Sequence, residues 1–196
     1  MCARYSLEEW MIDALAERAE EIDKEIEEEK KKEKREMRPS NQAPVLAAKG
    51  HKTHLTQKTW GYPAPSGSGL LINARSETLA DKPTFRNGFF NKRIIIPAAA
   101  YYEWNAKKEK FTIKRPDSAM IFFAGICDTF EGHDRFVIIT TAPNASVEGI
   151  HDRMPLILEE DQIHDWLFED DKSHDLIKHR PIDLVTFQEV EQLSMF

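Results

Sequence analysis

Cys2 is the first residue whose type and place could do chemistry. Removal of Met1 would give it a free α-amine with a pKa of about 8 beside a thiol of about 8.5. Both groups are partly nucleophilic near neutral pH, and together they form a 1,2-aminothiol. Such a pair suits aldehydes: the amine condenses to an imine, and the thiol closes a five-membered thiazolidine. The same residue could serve as a hydrolase nucleophile. Its plainer reading is an incidental second residue.

Three polar clusters could assist it. Leu71 to Thr78 reads Leu-Ile-Asn-Ala-Arg-Ser-Glu-Thr. There Asn73 can orient an amine or thiol, and Arg75 can clamp a phosphate with its guanidinium fork. Tyr101-Tyr102-Glu103-Trp104 sets a carboxylate among aromatics. An apolar setting raises a carboxyl pKa and suits Glu103 to proton transfer; the plainer reading is a strand Glu facing solvent. Ile150 to Pro155 offers His151 at a turn, a proton carrier near neutral pH or simply a capping ring. Trp60 and Trp104 could stack on unpaired bases or fill the core; Trp104 and Trp166 favour the core. A zinc site is not expected. His51 and His54 lack matching cysteines, and Cys127 has no second thiol nearby.

The elements that must hold these residues are mostly short strands. Candidate strands fall at 44–48, 54–60, 93–98, 110–114, 119–127, 135–141 and 183–190. They are β-branched or aromatic and are separated by Gly, Pro, Asn or Asp. Helices are predicted near 76–80, 146–150 and 160–168. Ser6 as N-cap, Glu9 in a capping box and apolar spacing from Trp10 to Ile26 predict one long helix over 7–36. Its end, 27–37, is a charged, solvated extension. The pattern is α+β, a single domain over 1–196 with a curved, mostly antiparallel β core.

The net charge of -7 speaks against nucleic acid until it is divided. Residues 1–37 carry -5, residues 38–115 carry +10 and residues 116–196 carry -12. A basic middle third can build a phosphate-attracting surface on an acidic protein. No apolar run approaches the roughly 20 residues of a membrane span. The start has no secretory or transit pattern, and two distant cysteines make no disulfide framework. The cytoplasm is therefore the expected compartment, and no cofactor is called for.

Taken in order, several segments carry a family resemblance. They are Met1-Cys2-Ala3-Arg4-Tyr5, Asn41-Gln42-Ala43-Pro44, Trp60-Gly61, Ile72 to Thr78, Glu103-Trp104, Ile139 to Asn144 and His151 to Pro155. The set resembles the SOS-response-associated peptidase (SRAP) family, abasic-site-binding proteins. The resemblance implies that Cys2, as N-terminal residue, bonds covalently to the ring-opened sugar of abasic sites in single-stranded DNA, with strand-cleaving lyase and self-processing peptidase activity as further expectations. It implies that Asn73 holds the amine, Glu103 moves protons and His151 opens the sugar. It places Arg4 and Arg75 on flanking phosphates and Trp60 against a base or the groove wall, with Asn41, Ser76, Thr141 and Arg153 also on the DNA side. Ala3 stands where the family usually has Gly, the N-terminal helix looks longer, and the C-terminal region looks short.

Two other readings compete: an N-terminal-nucleophile peptidase or amidase, and a non-covalent single-strand DNA binding module. The tail adds a partner. Gln192, Leu193, Ser194, Met195 and Phe196 resemble the short peptide by which bacterial repair proteins bind the sliding clamp, with apolar side chains for a pocket and Gln192 for orientation.

Overall fold

The computed structural model describes residues 2–26 and 34–189. Five strands close on themselves. His133–Thr141 pairs with Ile121–Phe130, then Arg93–Ala98, Gln42–Lys49 and Lys52–Trp60 follow, each antiparallel to the last. The ring closes where Thr59 and Trp60 run parallel to Arg135 and Phe136. A ring this small is filled by its own side chains, and Leu46, Ile94, Ile96, Ala124 and Ile138 are buried. Gly125 allows a close approach within it: a Cβ there would clash with Ile96 Cδ1 and lie 2.9 Å from the Val137 carbonyl.

A second, wholly antiparallel sheet runs Val185–Gln188, Lys110–Lys114, Ala100–Trp104, Tyr5–Leu7, Arg35–Met37. Aromatic rings join it to the first. Tyr5 packs 5.3 Å from Trp60, and Tyr5 and Tyr101 each meet Phe123 edge-on at 5.9 Å between centroids. Outside the sheets lie the helices Trp10–Ala16, Pro83–Asn91, Ile163–Phe168 and Asp170–Leu176. The result is a single-domain α+β fold with mostly antiparallel sheets. No helix among the described residues is long and apolar enough to cross a membrane.

The long helix over 7–36 is not there. Helix occupies Trp10–Ala16, while Ser6 and Leu7 lie in a strand and Ser6 caps nothing. Glu21–Ile22 pairs with the Lys52–Trp60 strand, and Arg35–Met37 pairs with Tyr5–Leu7. Long-range sheet pairing at Glu21–Ile22 and Arg35–Met37 outweighs the local helical spacing of the residues between Ala16 and Asp23 and at Arg35–Met37. The rest of the predicted extension, residues 27–33, lies outside the described residues. The helix predicted near 146–150 is a set of turns around buried Asn144, whose side-chain carbonyl accepts from the backbone and hydroxyl of Ser146.

Candidate active site

Cys2 leads into the Tyr5–Leu7 strand and is fully buried. Its neighbour in space is Asn73, at the start of the Asn73–Arg75 strand. That strand runs parallel to His133–Thr141, with Asn73 opposite Ile138. The Asn73 amide donates to the Cys2 carbonyl at 2.9 Å. Asn73 Oδ1 is buried with no hydrogen-bond partner among the described residues, so it can accept from an amine placed there. The Cys2 thiol lies 3.9 Å from the Arg4 carbonyl. Burial pushes the thiol far above its ordinary pKa, and the charge of Glu103 pushes the same way. A resting thiolate is therefore disfavoured.

Glu103 reaches the site because its strand pairs with that of Cys2. Tyr101 faces Tyr5, and the Tyr102 N–H donates to the Arg4 carbonyl at 3.0 Å. Glu103 is only 3% exposed. Burial lifts its carboxyl to about 7, and the nearby charge of Asp152 also raises it. A carboxyl at that value can give or take a proton at neutral pH.

His151 ends the turns after Asn144. Its Nδ1 accepts the Arg153 N–H at 3.1 Å and lies 2.8 Å from the Asp152 carboxylate. One nitrogen cannot accept the first and donate to the second. Asp152 is largely solvent-exposed, and burial holds the ring below its ordinary pKa. With the Arg153 N–H donating to Nδ1, the neutral ring carries its proton on Nε2.

The surrounding residues divide into exposed and engaged groups. Arg75 is exposed, and its guanidinium has no ion pair among the described residues. Arg4 pairs with Glu36 at 3.1 Å and lies over the Trp104 ring at 4.9 Å. Arg153 is bound by both arms to Glu77, at 2.6 and 2.8 Å, and also donates to the Thr140 carbonyl at 2.6 Å. Ser76 is buried at the start of the short turn Ser76–Thr78, and Thr141 is half-buried opposite Met154. Asn41 caps a turn by accepting from the Arg38 N–H at 2.9 Å.

Trp60 does not reach the surface. It is fully buried, donates from Nε1 to the Ile72 carbonyl at 3.0 Å and stacks on Phe136 at 6.2 Å. Its assignment to a base or groove wall is corrected: a ring fixed on every side cannot stack on DNA without leaving the core. The sequence reading also passed over Glu77, Asp152 and Glu36, which engage or perturb Arg153, Glu103 and Arg4 respectively. Glu77 stood inside the Asn73–Thr78 motif, two residues from Arg75, and opposite charges in two such motifs were the available signal.

The arrangement matches known proteins. The SOS response associated peptidase (SRAP) family matches residues 1–193. The chain belongs to the SRAP family. Among its relatives, the abasic site processing protein YoqW of Bacillus subtilis is 34% identical over 181 residues, covering 85% of this chain and 80% of YoqW. YoaM of the same organism, also named an abasic site processing protein, is 35% identical, covering 71% of this chain and 68% of YoaM. The abasic site processing protein YedK of Escherichia coli is 34% identical over 85% of this chain and 79% of YedK. A crystal structure of a Bacteroides thetaiotaomicron protein shares the fold, with a TM-score of 0.79 over 97% of this chain and 93% of that one at 23% identity. Within this SRAP chain, Cys2, Asn73 and Glu103 are brought together, and Asp152 links the His151 turn to Glu103 electrostatically.

Proposed function

We propose that this SRAP protein processes abasic sites in single-stranded DNA by bonding to them covalently through Cys2. The observation that carries the reading is the Asn73 amide on the Cys2 carbonyl, beside a buried carboxyl poised near neutral pH. Met1 must first be removed, by a host aminopeptidase or by the protein itself.

The chemistry then follows from the groups present. Protonated His151 gives its Nε2 proton to the sugar's ring oxygen as carboxylate Glu103 takes the C1′ hydroxyl proton, and the aldehyde opens. The Cys2 amine, accepted by Asn73 Oδ1, adds to C1′. Protonated Glu103 gives its proton to the carbinolamine hydroxyl, water leaves, and the imine forms. Carboxylate Glu103 then takes the thiol proton as sulfur adds to the imine carbon. Addition to the protonated imine leaves a neutral ring nitrogen, and the thiazolidine is closed. An imine also acidifies the C2′ proton; loss of that proton with departure of the 3′ phosphate is the lyase branch.

An amine-first order suits a thiol that burial keeps protonated. A cysteine peptidase needs the opposite, a thiolate stabilised by positive charge. That contrast favours aldehyde capture over the amidase reading, and the exposed Arg75 favours DNA.

Intact mass after incubation with abasic single-stranded DNA tests the proposal. The adduct should survive denaturation. Cys2→Ala should abolish the thiazolidine, and Cys2→Ser should leave a weaker imine product. A residue inserted before Cys2 that resists removal should also prevent closure. An equally stable adduct in Cys2→Ala would overturn the mechanism.

Gln192 to Phe196 lie outside the described residues. We propose that they recruit the protein to a bacterial sliding clamp, delivering it in the cytoplasm to stalled forks where abasic single strands occur. A labelled 191–196 peptide should bind the clamp, and changing Leu193 and Phe196 to Ala should end binding while leaving crosslinking intact. No binding at high micromolar concentration would discard the tail's role.

A further inference from the structure

Arg153, expected on the DNA, is instead engaged from three directions. Both its terminal nitrogens meet the Glu77 carboxylate, at 2.6 and 2.8 Å, and one also reaches the Thr140 carbonyl at 2.6 Å. Its side chain is only 12% exposed. Its own backbone N–H donates to His151 Nδ1 at 3.1 Å, with the Asp152 carboxylate 2.8 Å from the same nitrogen. Glu77 stands just beyond the Asn73–Arg75 strand, in the turn Ser76–Thr78. The Arg153 hydrogen bond to Glu77 holds the Glu77 carboxyl below its ordinary pKa, so the pair is ionised at neutral pH.

We infer that Glu77 is a positioning residue: its two-bond pairing with Arg153 fixes the His151 turn against the strand that carries Asn73. The inference rests on the crosslinking reading for its role in the reaction. The geometry behind it is independent of that reading. The turn from 145 to 150 has no regular ladder of its own, and pairing with the barrel resumes only beyond His151, at Met154–Pro155 and Ile157–Leu158. The fork between Glu77 and Arg153 therefore supplies a side-chain tie between the two parts of the site. Planar, two-bond pairing sets direction as well as distance. It holds Arg153, and through the Arg153 N–H it selects the His151 tautomer with the proton on Nε2.

The sign of the charge makes this testable. Glu77 is a half-exposed anion whose charge is felt alongside that of Arg75. If it acts only through long-range electrostatics, removing it should strengthen DNA binding and speed crosslinking. If it positions His151, removing it should slow crosslinking even though binding strengthens or stays level.

The experiment uses the full chain with Met1 removed. Binding is measured with single-stranded DNA bearing a tetrahydrofuran, an abasic analogue with no aldehyde. Crosslinking is measured with true abasic DNA in single turnover. Glu77→Ala is expected to bind the analogue at least as tightly as the wild type and to crosslink about tenfold more slowly or worse, in line with the sensitivity of bound reactants to small misplacement. Glu77→Gln, which keeps a hydrogen bond but not the charge, is expected to recover part of the rate. Crosslinking by Glu77→Ala at or above the wild-type rate would overturn the inference. So would a rate loss matched by an equal loss of analogue affinity.

A separate readout distinguishes failure here from failure of the crosslinking reading. Nitrogen-15 shifts of the His151 ring, assigned by their loss in His151→Gln, report which nitrogen carries the proton. Glu77→Ala is expected to turn the single Nε2–H tautomer into a mixture. If the wild type forms no adduct at all, the crosslinking reading falls and the tautomer alone decides the positioning role. An unchanged tautomer would then end it.

Discussion

Burial raises the carboxyl of Glu103, and this has a sign that can be followed in folding as well as in catalysis. The unfolded chain releases this proton near 4.5, and the folded chain releases it near 7. Between those values the folded state binds the extra proton, so stability from this group is full below 4.5 and is lost as pH rises through about 7. The size of the effect is about 3 kcal/mol at most. His151 acts oppositely: its lowered pKa destabilises the folded state in acid, and that penalty is relieved as pH rises towards its ordinary value of 6.5. A comparison of variants removes the His151 contribution. Urea midpoints at pH 5 and pH 8 should show the wild type losing more stability than Glu103→Gln across the interval. Equal changes in both proteins would refute the raised carboxyl. Glu103→Gln should also slow imine formation, since an amide cannot deliver the proton that removes water. The aromatics around Glu103 announced its setting in the sequence. Its coupling to Asp152 was not visible, because it depends on a turn packed from another part of the chain.

Strands were legible where β-branched runs ended in turn residues. Arg93–Ala98 and Lys110–Lys114 have the predicted bounds, and Gln42–Lys49, Lys52–Trp60 and His133–Thr141 extend theirs by a few residues. Ala100–Trp104, which carries Glu103, was missed as a strand, being only one residue beyond its predecessor. The Pro83–Asn91 helix was missed too, although Pro83 stands at its start. The 7–36 helix failed for a different reason: local periodicity cannot see that Tyr5–Leu7 and Arg35–Met37 will pair. Trp60 marks the same limit, because an aromatic beside Gly61 has the same appearance in a binding loop and in a barrel strand. Its placement gives an expectation at this scale. Trp60→Ala should cost roughly 3–5 kcal/mol through cavity formation, besides removing the Nε1 bond to Ile72. Denaturant titration measures this. Below the transition, the folded variant should keep the wild-type salt dependence of DNA binding. A change in salt slope with little loss of stability would return Trp60 to the DNA surface.

Across the whole molecule, the basic middle third is largely met by the acidic parts on either side. Lys49 and Lys52 meet Glu21, Lys58 meets Asp134, Lys92 meets Asp128, Arg93 meets Asp170, and Lys110 meets Glu189. The +10 of residues 38–115 is thus not the charge that DNA would meet. Arg75, Lys82, Arg86, Lys107 and Lys108 are exposed with no ion pair among the described residues, and of these Arg75 stands on the strand that begins with Asn73. An acidic protein that binds a polyanion must do so through such local groups, against the repulsion of its net charge of -7. Affinity for the tetrahydrofuran strand should therefore fall as salt rises, by release of counterions from the contacted phosphates. Arg75→Ala should lower the slope of log K against log salt by about 0.7, the value for one phosphate of a single strand. Lys92→Ala should leave the slope unchanged, because that amine already faces Asp128 at 2.8 Å. Fluorescence anisotropy at a series of salt concentrations measures both variants. A slope that falls equally in the two would assign the attraction to net charge and remove Arg75 from any specific phosphate contact.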